Sequence, residues 1–320
     1  MVQKLKKKKL GICIYVTFIL MVATAVLIYI NLGDNHIFER AYDDEISQFS
    51  PSIEPNLSIS ISPNKLKSSN AILIRLTDDA ILMQKNSDKK IYPASLTKMM
   101  TAIVAIENLP DPNEEINLTE ATFQGLSGED ASMAGFKPGE QVKSIDLLYG
   151  ALLPSGAECC IGLADKIAGS EQNFVKMMNK KAADLGMKNT HFENATGLHN
   201  ENHYTTVRDL SILLKYALKN NTFREIFTSY RHYVPPTNKH PEGVTFYSTM
   251  FEELKNQNIT GGQILGGKTG YTNEAGLCLA SLAKVGKQEY IMISADAKGN
   301  HNTKQYNITD AVAAYNSIEK

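Results

Sequence analysis

Between Leu10 and Leu32 the sequence carries no charged side chain, and Lys4, Lys6, Lys7, Lys8 and Lys9 stand directly before that run. At about 1.5 Å per residue a helix of this length crosses a hydrocarbon core of roughly 30 Å. Flanking lysines stay on the cytoplasmic side, so everything after Leu32 is expected to fold outside the cytoplasm. Two fates remain for the run. Ala23-Thr24-Ala25 is a small-x-small site at which a signal peptide could be cut. An uncleaved signal-anchor is preferred, because the apolar stretch continues through Val26-Leu27-Ile28-Tyr29-Ile30, too far for an ordinary signal segment.

Composition sets the remaining bounds. With 43% apolar and 21% charged residues the chain can build a normal core and is not a disordered polymer. A net charge of −1 leaves no basic surface of the kind that nucleic acid requires. Residues 1–32 form the basic end and anchor. Residues 33–69 mix serines with Pro51, Pro55 and Pro63 and show little apolar periodicity, as expected of a tether. The folded domain is expected over residues 70–320. Cys13, Cys159, Cys160 and Cys278 do not make a disulfide framework; small buried side chains are expected, with a bridge from Cys278 to one of the adjacent pair as the alternative.

Within the domain, Ala71–Leu76 and Ala80–Gln84 flank Thr77-Asp78-Asp79 and read as a hairpin. From Pro93 to Asn108 apolar residues cover more than one face, which predicts a buried helix with Pro93 at its start. Residues 110–143 are rich in turn formers. Helices are predicted over 145–153, 157–167, 174–185, 206–218 and 310–318, and strands over 267–272, 277–284 and 289–295. Strands at both ends with helices between predict an α+β fold, one antiparallel sheet joining the two ends around a helical insertion.

Three short segments carry chemistry. In Ser95-Leu96-Thr97-Lys98 the serine and lysine stand one helical turn apart on one face. A hydroxyl becomes a nucleophile when a neighbour takes its proton, and a lysine can do so once burial depresses its pKa. A helix start also offers backbone N–H groups to an oxyanion. A capping serine beside a solvated lysine would explain the motif in an exposed helix, but not in a buried one. Ser155-Gly156 sits in the break between two helices, where a hydroxyl can project into a cleft or simply cap. Gly266-Gly267-Lys268-Thr269-Gly270 opens an apolar strand; small residues admit a peptide along its edge, and Lys268 and Thr269 can hold a carboxylate. Gly262 to Thr269 also matches the P-loop letters, but no helix follows, and an ATPase is rejected.

In this order the three motifs resemble those of the penicillin-recognising serine enzymes. Within that group the chain is most similar to low-molecular-mass D-alanyl-D-alanine carboxypeptidases, through residues 93–102, Phe192–Leu198, His203–Thr206 and Gly267–Thr272. The resemblance implies a β-lactamase/DD-peptidase-like fold, and the following roles. Ser95 is the nucleophile, Lys98 its general base and Ser155 a proton shuttle. Lys268, Thr269, Gly270 and Tyr271 bind substrate, with the N–H groups of Ser95 and Tyr271 as oxyanion hole. The implied partners are peptidoglycan stem peptides ending in D-Ala-D-Ala, with β-lactams as inhibitors of the same serine. The implied location is the outer face of a bacterial plasma membrane.

The second motif departs from the pattern, with Ala157 where an asparagine is usual; Glu158 or Asn194 is the expected compensation. Family members often add a C-terminal domain with an amphipathic anchor, and the N-terminal run is expected to serve in its place. His191, His199 and His203 fit no common zinc spacing, and no cofactor or metal is expected. A D,D-endopeptidase, a β-lactamase, or a weakly catalytic peptidoglycan or β-lactam sensor are the competing readings.

Overall fold

The computed structural model describes residues 60–126 and 131–318. The predicted membrane run and most of the tether lie outside them. Among the described residues no helix is long and apolar enough to cross a membrane.

The chain opens with β1 (Ser68–Arg75) and β2 (Ile81–Lys85), the predicted hairpin. A 3₁₀ turn, Ala94–Thr97, leads into α1 (Lys98–Asn108). A small hairpin follows, β3 (Glu115–Leu118) with β4 (Glu140–Lys143), and then α2 (Ser144–Leu152), α3 (Ala157–Ala168), α4 (Glu171–Asp184), α5 (Val207–Ala217) and α6 (Asn221–Thr228). A second hairpin, β5 (Arg231–Val234) with β6 (Val244–Tyr247), precedes α7 (Thr249–Leu254) and β7 (Asn258–Ile259). The long strands β8 (Gly262–Thr272), β9 (Gly276–Val285) and β10 (Gln288–Ala297) and the helix α8 (Tyr306–Asn316) complete it.

The main sheet is antiparallel in the order β2-β1-β10-β9-β8-β7, so the first strands of the domain pair with the last. Helices cover both faces. Alternate residues of each strand point to opposite sides. Ile72, Ile74, Ala280, Leu282, Ile291 and Ile293 face the core shared with α1 to α6. Ala71, Leu73, Leu279, Ala283, Tyr290 and Met292 face a second core with α7 and α8. This two-sided burial explains why the strands read as unbroken apolar runs instead of alternating.

The predicted buried helix is α1. It is enclosed by α2, α3, α4, α5 and α6, and every residue from Lys98 to Ala105 is buried. Helix α6, helix α7 and the two small hairpins escaped the sequence reading. Their segments are short, and β3 and β4 are separated by 21 residues rich in turn formers, so neither period develops over enough residues. The considered bridge from Cys278 is not formed: Cys159, Cys160 and Cys278 are free and buried.

One carboxylate ties the last helix to the start of β1. Asp310, near the start of α8, accepts from Lys67 N at 3.0 Å, Ser68 N at 2.7 Å and Ser68 Oγ at 2.8 Å. Removing it leaves these donors under-satisfied at a nearly buried point. Asp310→Ala should therefore cost about 2–4 kcal/mol in urea unfolding, and Asp310→Asn clearly less. A loss under about 0.5 kcal/mol for the alanine variant would put the clasp elsewhere.

Candidate active site

The site lies where the turn before α1, the break between α2 and α3, the loop 192–198 and strand β8 converge. Ser95 sits in the 3₁₀ turn and Lys98 is the first residue of α1. The α-helix itself therefore begins five residues later than the sequence reading placed it, but the one-turn spacing is kept. Lys98 Nζ lies 2.9 Å from Ser95 Oγ and donates to Thr196 O at 2.7 Å. The residue before the nucleophile, Ala94, has φ 47°, a strained conformation for an L-residue.

That strain has a visible support. Gly197 (φ 83°) packs so closely that a Cβ there would lie 1.9 Å from Ala94 O. On the other side a Cβ on Gly270 would come within 3.1 Å of Ser95 N. The nucleophile turn is thus clamped between two glycine backbones, one from the 192–198 loop and one from β8. Asn194 shapes the loop: its Oδ1 accepts from Gly197 N at 2.7 Å and Thr196 N at 3.2 Å, while its Nδ2 donates to Leu198 O at 2.9 Å. It acts on Lys98 through the Thr196 carbonyl, not by direct contact.

The other two motifs meet each other. Lys268 Nζ donates to Ser155 Oγ at 2.9 Å and to Thr269 O at 2.8 Å. Ser155 occupies the break between α2 and α3 with φ 71° and is buried. Strand geometry replaces the P-loop alternative: Gly262–Thr272 is extended throughout and pairs with β9. Thr269 Oγ1 is 2.6 Å from Thr249 Oγ1, a partner that the sequence offered no motif to find. Tyr271 hydrogen-bonds through its hydroxyl to Asn273 Oδ1 at 2.8 Å, and its ring meets His301 edge-on.

Both lysines are almost wholly buried, Lys98 at 2% and Lys268 at 1% exposure. Burial pushes both amines below the ordinary lysine value, and the nearby Lys98 charge pushes Lys268 further. Glu158 is buried as well, and its carboxyl is raised for that reason. Its Oε1 accepts from Ala134 N at 2.8 Å and Gly135 N at 2.9 Å, which pins the 131–136 segment over the cleft. Ala157 N donates to Ser132 O at 2.8 Å in the same junction. The exposed Ser132 hydroxyl, absent from the sequence reading, lines the cleft beside Ala157.

The cleft holds about 670 Å³ and is lined by Ser95, Lys98, Ser132, Ala157, Thr196 and Tyr271 among others. A smaller space of about 150 Å³ adjoins it around Ser155, Thr249 and Thr269. Of the histidines, His199 lines the cleft wall, and His191 pairs with Glu193 away from it. His203 is buried, with Nδ1 accepting from Glu193 N and Nε2 facing Thr97 Oγ1 at 2.9 Å. Burial drives its pKa down to about 3, so it is a neutral strut behind the nucleophile turn. Among the described residues no three His, Cys, Asp or Glu side chains gather as metal ligands would.

A sheet flanked by helices, with two lysine–serine pairs facing one cleft, is a DD-peptidase architecture. The structure superposes on the crystal structure of the Streptomyces K15 DD-transpeptidase with a TM-score of 0.71 at 25% identity, covering 80% of this chain and 98% of that one. A D-alanyl-D-alanine carboxypeptidase of Mycobacterium tuberculosis H37Rv aligns with a TM-score of 0.69 at 26% identity, over 82% of this chain and 94% of that one. The peptidase S11 family model, described as D-alanyl-D-alanine carboxypeptidase, matches residues 58–299, and the chain belongs to that family. A D-alanyl-D-alanine carboxypeptidase of Bacillus subtilis (strain 168) is 32% identical over 223 residues, 70% of this chain but 56% of the relative. The match thus spans just over half of that relative's length.

The glycine clamp is testable against an internal control. Gly186 has a similar φ of 74° but open space around it. Gly186→Ala should cost only the left-handed penalty, about 1–2 kcal/mol. Gly197→Ala must also displace the Ala94 carbonyl and should cost well over that in thermal or urea unfolding. Equal losses would show that the loop does not hold the turn.

Proposed function

We propose that this chain is a serine D-Ala-D-Ala carboxypeptidase that removes the terminal D-alanine of peptidoglycan stem peptides. The observation that carries the reading is the 2.9 Å approach of a buried, desolvated Lys98 amine to the Ser95 hydroxyl. Such an amine can be neutral near physiological pH and can take the Ser95 proton. Ser95 Oγ then bonds to the carbonyl carbon of the penultimate D-alanine. The oxyanion is received by the N–H groups of Ser95 and Tyr271. Collapse of the tetrahedral centre breaks the peptide bond, and the leaving amine takes a proton by way of Ser155. Water, deprotonated by the same base, frees the peptide and restores Ser95.

Lys268 and Thr269 hold the terminal carboxylate of the substrate. The buried Lys268 amine, held down by burial and by Lys98, gains from the arriving carboxylate the counter-charge that favours its protonated form. A β-lactam presents a carboxylate and a strained carbonyl in the same relation and acylates the same serine. The Leu10–Leu32 run anchors the domain to the outer face of the plasma membrane, with residues 33–69 as its tether.

The full chain should release D-alanine from diacetyl-L-Lys-D-Ala-D-Ala. Ser95→Ala should lose about 10⁴-fold or more of that rate. Penicillin labelling without any release would replace hydrolysis by a sensor role, and neither would end the assignment. The acylation rate should rise with pH, because the neutral Lys98 amine is the reactive form, and level off below the ordinary lysine range near 10.5. Lys98→Arg keeps charge and donors but cannot deprotonate, so it should remove both the rate and its pH dependence. A flat pH profile in the native chain would assign the base elsewhere.

A further inference from the structure

The β5–β6 hairpin carries an aromatic face that the catalytic reading leaves unused. Its register places Arg231 opposite Tyr247 and Tyr233 opposite Thr245, and these four side chains share the outward face. His232, Val234, Val244 and Phe246 face inward. Among the described residues only four large apolar side chains are exposed, and Tyr230, Tyr233 and Tyr247 are three of them. Exposed apolar side chains that cluster, instead of standing singly, mark a place of contact.

The face is held rigid from behind. A two-stranded hairpin is marginal by itself. Here the His232 ring stacks on Tyr149 of α2 at 3.7 Å, and its Nε2 lies 2.6 Å from Asp146 Oδ1. Phe246 meets Phe136 edge-on at 5.4 Å. The far end is tied to β4. The buried Glu140 accepts from Thr237 Oγ1 and faces His240 Nδ1 at 2.8 Å, and Asn238 Oδ1 accepts from Gln141 N at 3.0 Å. On the outer side Tyr230 and Tyr247 meet edge-on at 6.1 Å. The Tyr233 hydroxyl donates to Glu242 O at 3.3 Å, and its ring lies so close to Gly243 that a Cβ there would be 2.8 Å from Cε2. Rings fixed in this way lose little freedom on binding.

Chemistry narrows the occupant. Of the four outward residues only Arg231 is charged, too little for nucleic acid or an anionic lipid surface. Leucine, isoleucine and phenylalanine, which enter acyl chains, are absent from the face. A tyrosine is apolar across its ring and polar at its tip. A pyranose ring is its counterpart, with an apolar C–H face and a rim of hydroxyls. An acetamido substituent adds a carbonyl to which a tyrosine hydroxyl or the Arg231 guanidinium can donate. Position agrees with chemistry. Ser248 N donates to Tyr230 O at 2.9 Å, and the next residue, Thr249, is the partner of Thr269 at the carboxylate end of the cleft. The freed D-alanine departs from that end, so a polymer lying over the hairpin belongs to a neighbouring strand of the wall and not to the stem being cut. We propose that the outward face of the β5–β6 hairpin docks the glycan strand of peptidoglycan, with N-acetylated sugar rings stacked on Tyr233 and Tyr247. The identity of that polymer rests on the carboxypeptidase reading.

The test is co-sedimentation of the full chain, in detergent, with insoluble glycan strands from which an amidase has removed the stem peptides. The native chain should pellet with them. Tyr233→Ala with Tyr247→Ala should weaken that binding at least about five-fold. The same pair of changes should leave thermal unfolding and D-alanine release from diacetyl-L-Lys-D-Ala-D-Ala as they were. Tyr233→Phe with Tyr247→Phe keeps the rings and should keep most of the binding. No pelleting of the native chain, or equal pelleting of the alanine pair, would overturn the platform. So would binding only to peptidoglycan that retains its peptides, which would make a second stem the partner, or a self-association of the chain that the alanine pair abolishes. D-alanine release by the native chain judges the carboxypeptidase reading separately: glycan binding without release would sink that reading and keep the platform.

Discussion

Two lysine side chains are buried in one cleft, and among the described residues neither has an ion-pair partner. Their hydrogen bonds go to hydroxyls and carbonyls: Ser95 and Thr196 for one, Ser155 and Thr269 for the other. Desolvating an ammonium group without a counter-charge is unfavourable enough that the group tends to give up its proton. Much of the local architecture serves to hold that unfavourable arrangement. The Thr196 carbonyl is aimed by Asn194, Ser155 is held in a left-handed conformation between two helices, and Gly197 and Gly270 press on either side of the nucleophile. The surrounding cores supply the rigidity. With α1 packed among α2 to α6, Lys98 is held at the wall of the cleft.

The same enclosure explains how much was legible in the sequence. Apolar residues on more than one face of 93–108 announced a buried helix, and a lysine inside it demanded a reason. The edges of that helix were less readable, because the turn at Ala94–Thr97 is held by tertiary contact with Gly197 and not by a local cap. The six-stranded sheet was readable in part: β1, β2, β9 and β10 have apolar runs, while β8 was read only from Gly267 onward, through its motif. The small hairpins were not, because Glu115–Leu118 and Glu140–Lys143 are four residues each and find one another only across an intervening loop.

The site was legible as motifs but not as partnerships. Sequence spacing alone pairs Ser95 with Lys98. No spacing pairs Lys268 with Ser155, or Thr269 with Thr249, since those contacts cross 113 and 20 residues. The Ala157 departure reads differently in three dimensions. Its neighbour Glu158 spends one oxygen on the backbone of Ala134 and Gly135, and Asn194 works at one remove through Thr196. What stands at the emptied position is the cleft wall made with Ser132, contributed by a segment more than thirty positions from the first motif and more than a hundred from the third.

The sheet order has a consequence for how the molecule comes into being. Strand β1 takes its inner partner, β10, from more than two hundred residues downstream, and Ser68 is clasped by Asp310 from later still. A chain emerging amino end first, whether from a ribosome or through a membrane pore, exposes β1 and β2 long before their neighbours exist. Contacts of such long sequence separation make folding slow. Until β8, β9 and β10 arrive, the Ser95 turn has its lysine but no opposing strand, so the nucleophile is assembled only when nearly the whole domain has emerged.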